Sequence, residues 1–324
     1  MKSLSELQSL FGEQLSAFAF PKNPATLYEP MEYILSIGGK RIRPVLLLAA
    51  YNLYKEEVSE AFNAALAIEV FHNFSLLHDD IMDDADIRRG QPTVHIKYDE
   101  NTAILSGDVM MIYAYKLLEA YPDNFFALTQ MFTDTSIGVC DGQRMDMDFE
   151  TEQAVTISDY LKMIELKTSV LIGAALGMGG ILGGASSQDI KHLYEFGKNV
   201  GIAFQIQDDL LDTFGTEALL GKKIGGDIIQ KKKTYLYLKA LELLSMEEST
   251  RLEEIFNDES IKMDDNLVDE VKGLMKTSHV SVHAQELKLV YQQLGLSHLA
   301  AISVSEDKKK TLTSIAEYLL NRNV

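Results

Sequence analysis

Apolar residues recur at i, i+3 and i+4 along most of the chain, and period-two alternation is scarce. With only six prolines in 324 residues, this patterning predicts an all-α protein. Helices are expected over roughly 3–18, 25–37, 44–54, 58–83, 99–120, 124–148, 156–182, 187–213, 231–246, 248–256, 265–275, 278–295 and 309–321. Breaks fall at Gly38-Gly39, Arg89-Gly90-Gln91-Pro92, Tyr121-Pro122, Gly183-Gly184 and between Gly221 and Gly226. No long linker or low-complexity segment divides the chain, so residues 1–324 read as one domain. The segment from Ser59 to Asp83 is apolar nearly all round and should be central. Along it His72, Leu76, Asp79 and Asp83 form a partly polar stripe, which implies a water-filled cavity inside the bundle.

That central helix ends on an unusual run of charge. Asp79-Asp80-Ile81-Met82-Asp83 has the form D-D-x-x-D, and Asp208-Asp209-Leu210-Leu211-Asp212 repeats it. Carboxylates four apart lie on one helix face and repel unless a cation sits between them. An all-oxygen donor set suits a hard divalent ion such as Mg²⁺, which commonly bridges carboxylates and phosphates. One such motif is most often a solvated helix end; two, each after an apolar run, describe a metal-held diphosphate site.

The clustered cations match. Gly38-Gly39-Lys40-Arg41-Ile42-Arg43-Pro44 carries three positive charges through a flexible turn into a helix start, a natural anion site. Arg88 and Arg89 follow the first acidic motif, and Lys222, Lys223 and Lys231 to Lys233 follow the second. Lys167-Thr168 interrupts an apolar helix. Each alone reads as a solvated or snorkelling side chain, but their repeated adjacency to the acidic motifs favours phosphate neutralisation. Other fragments carry nothing: Glu69-Val70-Phe71-His72 lacks the partners of a di-iron site, and Gly215 to Lys222 has the wrong spacing for a P-loop.

Composition narrows the class. A net charge of −18 and a pI near 4.8 argue against nucleic acid or an anionic membrane as partner. Cys140 is the only cysteine, which fits a reducing, cytoplasmic setting. The first residues lack a signal-peptide layout. Val170 to Ala185 is the most apolar stretch, and its 16 residues fall short of a membrane span, so no stable membrane insertion is expected.

With these motifs in view, the chain resembles the trans-isoprenyl diphosphate synthases, the polyprenyl synthetase family. The likeness rests on GGKRIRP (38–44), EVFHNFSLLHDDIMDDADIRRGQPTVH (69–95), Gly107-Asp108, Lys167-Thr168, FQIQDDLLD (204–212) and GKKIGGDIIQKKKT (221–234). It implies an all-α single large bundle around a deep central cavity, a homodimer, and condensation of isopentenyl diphosphate with allylic diphosphates. It also implies about three Mg²⁺ per active site, with Mn²⁺ able to substitute. By motif, Asp79, Asp83 and Asp208 resemble the direct metal ligands, with Asp80, Asp209 and Asp212 assisting. Arg88, Lys167, Thr168, Gln205, Lys222 and Lys232 resemble the allylic diphosphate contacts, although Lys231 and Lys233 compete for the last role. Lys40, Arg43, His72 and Arg89 resemble the isopentenyl diphosphate site.

Product length is read from the helix before Asp79. One turn rises about 5.4 Å, comparable to one isoprene unit. Ser75, one turn back, is small enough to let a tail pass, whereas Phe71 and Phe74 are the candidate floor. That favours a short product, C20 ahead of C15. The rival readings fit less well. A class I terpene cyclase or a squalene-type synthase carries a different second motif, a regulatory subunit tends to lose one motif, and a purely structural bundle leaves the paired motifs unexplained.

Overall fold

The structure is a computed structural model that describes residues 1–152, 154–216, 224–258 and 260–320. Helices dominate, as the periodicity predicts. In order they are α1 (Leu4–Ala17), α2 (Ala25–Ser36), α3 (Ile42–Asn52), α4 (Phe62–Met82), α5 (Val94–Lys97), α6 (Glu100–Leu118) and α7 (Phe125–Thr151). Then come α8 (Ile157–Ile164), α9 (Val170–Gly183), α10 (Ser187–Phe214), α11 (Gly226–Ile229) and α12 (Tyr235–Leu243). The last are α13 (Met246–Asn257), α14 (Asp265–Thr277), α15 (Val280–Ala301) and α16 (Glu306–Leu320). A two-stranded hairpin, β1 (Ile87–Arg88) and β2 (Gln91–Pro92), follows the first acidic motif. Its turn residues, Arg89 and Gly90, both have positive φ, as tight two-residue hairpin turns require.

The contacts resolve into two compact units. The first comprises Met1–Thr135, Leu171–Glu195 and Leu299–Ile315; the second comprises Ser136–Val170, Phe196–His298 and Ala316–Val324. In the first, α4 packs chiefly on α6 and α3. It is buried on nearly every side, from Ala64 through Phe71 and Phe74 to Asp80, as its all-round apolarity predicts. In the second, α12 packs on α8, α13 and α14, around a core that includes Tyr160, Ile206, Leu210, Leu236 and Ile255.

Three local differences from the periodicity bear on function. The expected helix 156–182 is continuous, but Glu165–Ser169 forms a π turn between α8 and α9. A capping box starts it: Asp159 N–H donates to Thr156 Oγ1 at 3.1 Å, and Thr156 N–H donates to Asp159 Oδ2 at 3.0 Å. The helix expected from residue 231 starts at Tyr235 instead. Lys231 adopts a left-handed φ of 52° and Lys232 N–H turns back to Asp227 O at 2.8 Å, so the lysine run is a turn. The helix that carries the apolar stretch is also longer than the 16 residues from Val170 to Ala185. The helix runs on from Ile157 to Gly183, 27 residues, and an 18-residue window within it has a mean hydropathy of 1.5, long and apolar enough to cross a membrane. Within the protein 72% of that window is buried, so its apolar surface is covered by other helices.

The glycine turn before α3 is held by a buried carboxylate. Gly38 and Gly39 have φ of 92° and 130°, and a side chain on Gly39 would come within 2.6 Å of the Arg89 guanidinium. Glu69, 2% exposed, accepts from Arg41 Nη1 and from Asn73 Nδ2 at 2.9 Å. Arg41 also donates to Leu35 O. Of the three cations in the turn, Arg41 therefore faces inward and serves the fold. Removing the carboxylate strands a shielded guanidinium, so Glu69→Ala should cost about 3 kcal/mol of stability. A lowered urea midpoint at an unchanged slope would register it.

Candidate active site

The site residues fall into two sets, one in each unit. In the first unit, Asp79 and Asp80 occupy the last turn of α4, and Asp83 is its C-cap, its N–H donating to Asp79 O at 2.9 Å. Asp80 is 2% exposed. It is clamped by Arg88, whose Nε lies 2.8 and 2.9 Å from the two carboxylate oxygens and whose Nη2 lies 2.6 Å from Oδ1. Burial raises the Asp80 carboxyl above its ordinary value, with Arg88 opposing. The Arg88 guanidinium, despite burial, is held above its own ordinary value by Asp80. Arg88 also reaches Asp79 Oδ2 at 3.5 Å. The hairpin thus carries Arg88 onto the acidic motif and turns Arg89 the other way, onto Gly38 O.

Behind this lies a cation-rich neighbourhood. Arg43 Nη1 is 3.1 Å from His72 Nε2. Burial, followed by Arg43, Arg89, Arg88 and Arg41, pushes the His72 pKa well below its usual value. His72 is therefore neutral. Because guanidinium only donates, Nε2 accepts and the ring proton sits on Nδ1. Burial lowers the Arg43 pKa to about 10, still protonated at neutral pH. Lys40 is exposed next to the glycine turn. Positive charges concentrated here, with Glu69 already engaged by Arg41 and Asn73, suit an anion that brings no metal.

Two phenylalanines lie earlier on α4. Phe71 is fully buried and Phe74 is 8% exposed. Their ring centroids are 5.4 Å apart, Phe71 packs edge-on against Phe132 at 5.1 Å, and Phe132 against Tyr115 at 4.9 Å. Ser75 turns its hydroxyl back to His72 O at 2.9 Å, which keeps it compact.

In the second unit a cavity of about 190 Å³, more than ten times the roughly 10–15 Å³ that one water needs, opens beside the second motif. Its lining includes Lys167, Thr168, Gln205, Asp208, Asp209, Asp227 and Lys231 to Lys233. Asp209, 3% exposed, accepts from Tyr160 Oη and from Gln205 Nε2 at 3.3 Å. Burial and then the charge of Asp227 push its pKa well up, against those two hydrogen bonds. Burial also keeps the Tyr160 phenol protonated, so it donates. Gln205 accepts from Thr168 Oγ1 at 3.5 Å, linking the π turn to the motif. Asp212 accepts from Asp227 N–H at 2.9 Å and so holds the start of α11. Of the three clustered lysines, Lys231 donates to Asp258 O at 2.6 Å and Lys233 to Glu152 O. Among the described residues Lys232 has no such tie. Lys222 and Lys223 lie outside the described residues.

Crowded carboxylates beside lysines are what a cation bound together with phosphate relieves. Among the described residues no three His, Cys, Asp or Glu side chains can close a metal cage by themselves. The donor set instead fits Mg²⁺, which takes one or two carboxylates and completes its shell with phosphate oxygens and water.

A polyprenyl synthetase family profile matches residues 24–274. The chain belongs to the polyprenyl synthetase family. This trans-prenyltransferase is 37% identical to a short chain isoprenyl diphosphate synthase of Methanocaldococcus jannaschii, across 91% of this chain and 89% of that one. It is 36% identical to a geranylgeranyl diphosphate synthase of Saccharolobus solfataricus, across 93% and 91%. A crystal structure of a geranylgeranyl pyrophosphate synthase superposes with a TM-score of 0.94 at 44% identity, covering each chain fully. Relatives named for farnesyl and geranylfarnesyl diphosphate bracket these, so the prenyltransferase is of the short-chain class.

Sequence reading passed over several residues of this prenyltransferase. Asp146, Glu150, Tyr160 and Asp227 all line the cavity, and Phe132 joins the aromatic cluster. Asp227, directly after Gly225-Gly226, stood in a quoted motif; Tyr160 and Phe132 offer no local signal, since each reads as an ordinary core position.

The neutral His72 has a consequence for stability. Its folded pKa lies below the 6.5 of an unfolded histidine, so below pH 6.5 the unfolded chain takes up a proton that the folded one does not. Stability is lost as pH falls from about 6.5. His72→Gln, which cannot titrate, should flatten the dependence of the urea midpoint on pH between about 6.5 and 5. Parallel curves for the two proteins would contradict a neutral His72.

Proposed function

We propose that this prenyltransferase joins isopentenyl diphosphate head-to-tail, 1′-4, to an allylic diphosphate with Mg²⁺, giving a C20 product in preference to C15. One observation carries the reading: cations occur in two kinds of surroundings. Arg43, His72 and Arg89 share a neighbourhood of guanidinium groups, suited to a diphosphate bound without metal. Lys167 and Lys232 line a cavity with Asp208, Asp209 and Asp227, suited to a diphosphate bound through metal. Isopentenyl diphosphate, the nucleophile, keeps its diphosphate; the allylic partner must lose it.

Asp79, Asp83 and Asp208 would hold the metal, with Asp80, Asp209 and Asp212 behind them. When bound, Mg²⁺ neutralises charge developing on the departing diphosphate and so lowers the barrier to its loss. Arg88, Lys167, Thr168, Gln205 and Lys232 hold that diphosphate, Lys222 being assigned with them on the family motif. As the allylic C–O bond breaks, its electron pair leaves with the diphosphate, and Lys167 and Lys232 stabilise the growing negative charge. The isopentenyl double bond, aligned by Lys40, Arg43, His72 and Arg89, forms the new C–C bond. The proton then lost from the adjacent carbon passes to the released diphosphate, so no protein base is needed. Phe71 and Phe74, backed by Phe132 and Tyr115, end the tail, and Ser75 lets it pass.

The family profile runs through both compact units, which supports treating the chain as one catalytic domain. We further read the enzyme as a cytoplasmic homodimer that binds no nucleic acid. Ile104, Leu105 and Ile112 are exposed on α6, an apolar surface that a second copy would cover.

The purified chain should turn over only with Mg²⁺ or Mn²⁺, and chelation should abolish activity. Asp79→Ala or Asp208→Ala should slow single-turnover condensation by at least ~100-fold. Near-normal rates in either variant would defeat the metal assignment.

The two diphosphate sets should separate kinetically. Arg43→Ala and His72→Ala should raise chiefly the KM for isopentenyl diphosphate, and Lys232→Ala that for the allylic substrate. Equal damage to both constants in all three variants would mean that the division is wrong.

Product length is read by chromatography after dephosphorylation. Phe74→Ala, alone or with Phe71→Ala, should lengthen the product beyond C20, and Ser75→Phe should shorten it. Unchanged lengths in every variant would move the floor elsewhere.

A further inference from the structure

The π turn that carries Lys167 and Thr168 is held from two sides. On α7, Gly142 packs so closely that a side chain there would lie 2.2 Å from Lys167 N. On α10, a side chain on Gly201 would lie 2.8 Å from Ser169 Cα. Ser169 itself is fully buried and its hydroxyl donates to Ile164 O at 3.1 Å, tying the end of the π turn to the carbonyl that immediately precedes it. A π turn is rare and survives where its surroundings over-determine it, frequently at functional sites. Here the surroundings are two helix backbones that only glycine allows so near.

One turn beyond Gly142 on the same face of α7 stands Asp146, whose Oδ2 is 2.6 Å from Lys167 Nζ. Both side chains line the cavity beside the second acidic motif and both are largely shielded, at 18% and 23% exposure. Gly142 therefore seats the lysine's backbone and Asp146 its ammonium. We propose that Asp146 is a positioning residue: it fixes the direction of the Lys167 ammonium into the acidic cavity, so that Lys167 meets the allylic diphosphate already oriented. An ammonium has three donors on a flexible four-carbon stem. Asp146 engages one of them, and its charge draws the end of the stem to one place. The shielded setting makes the pair worth more than an exposed ion pair, whose contribution is small.

This inference rests on the allylic reading of the cavity, and the experiment separates the two. Wild type, Asp146→Ala, Asp146→Asn, Lys167→Ala and the Asp146→Ala/Lys167→Ala double variant are assayed with Mg²⁺ and both substrates. Melting temperatures confirm that each is folded, and the near-isosteric Asn variant serves if the Ala variant is not. Asp146→Ala should lose about 10- to 100-fold in kcat/KM for the allylic substrate, the range of one charge-assisted hydrogen bond. The KM for isopentenyl diphosphate should stay within about two-fold, and Asp146→Asn should fall between. In the Lys167→Ala background the same change should add less than about two-fold, because the partner through which it acts is gone. A full loss in that background, or equal rises in both KM values, would overturn the proposal and leave Asp146 a structural support. A wild-type chain without turnover would sink the functional reading alone. Calorimetric binding of inorganic diphosphate with Mg²⁺ would then still test the pair, with Asp146→Ala expected to weaken binding in wild type and not in Lys167→Ala.

Discussion

In each compact unit the acidic motif is built around one carboxylate that the protein buries and must itself satisfy. Asp80 and Asp209 are the second residues of their motifs, and each lies almost wholly out of water. An ionised carboxylate in such a place costs several kcal/mol unless it is paired or hydrogen-bonded. Asp80 takes Arg88, a charged partner in bidentate contact; Asp209 takes the neutral donors Tyr160 and Gln205. With the middle carboxylate of each motif anchored in this way, Asp79 and Asp83 are carried at the C-terminal end of α4 and Asp208 within α10.

The Asp80–Arg88 contact has further structural consequences in the first unit. It fixes β1 against the end of α4, which presents Arg89 to Gly38 O. Gly39 leaves room for that guanidinium, and Arg41, two residues later, reaches Glu69 on α4. Arg43 then meets His72 one turn further along α4. An N-terminal glycine turn and a hairpin some fifty residues later thereby converge on one helix. The cation-rich neighbourhood around His72 is a product of that convergence.

Electrostatics explains why an acidic protein can take an anionic substrate. The chain carries a net charge of −18, which opposes anions in general. Locally the balance reverses: burial first, and then four arginines, keep His72 neutral, so its ring accepts from Arg43. In the second unit the balance is mixed, with burial and then Asp227 and Asp208 raising the Asp209 pKa while Lys167 and Lys232 line the same cavity. The first set presents positive charge directly, whereas the second mixes lysines with carboxylates.

Much of this was legible in the sequence because it is local. Helices announce themselves by apolar spacing, and both acidic motifs sit within five residues, so their shared helix face follows from 3.6 residues per turn. The glycine turn and the arginine pair likewise read directly as anion chemistry. What only the tertiary structure decided depends on distant neighbours. Local patterning does not separate Arg41 from Arg43, and only the family motif singled out Arg43; one is committed to Glu69 and the other lies against His72 because burial and helix packing select their directions. Lys231 to Lys233 read as a helix start, but contacts to Asp258 and Glu152 make them a turn that faces the cavity. The π turn at Lys167 has no sequence signature, since it results from two glycine-bearing helices pressing on one backbone. Tyr160 meets Asp209 across 49 positions, and Lys167 meets Asp146 across 21. Periodicity describes which face a residue takes; only packing determines what that face meets.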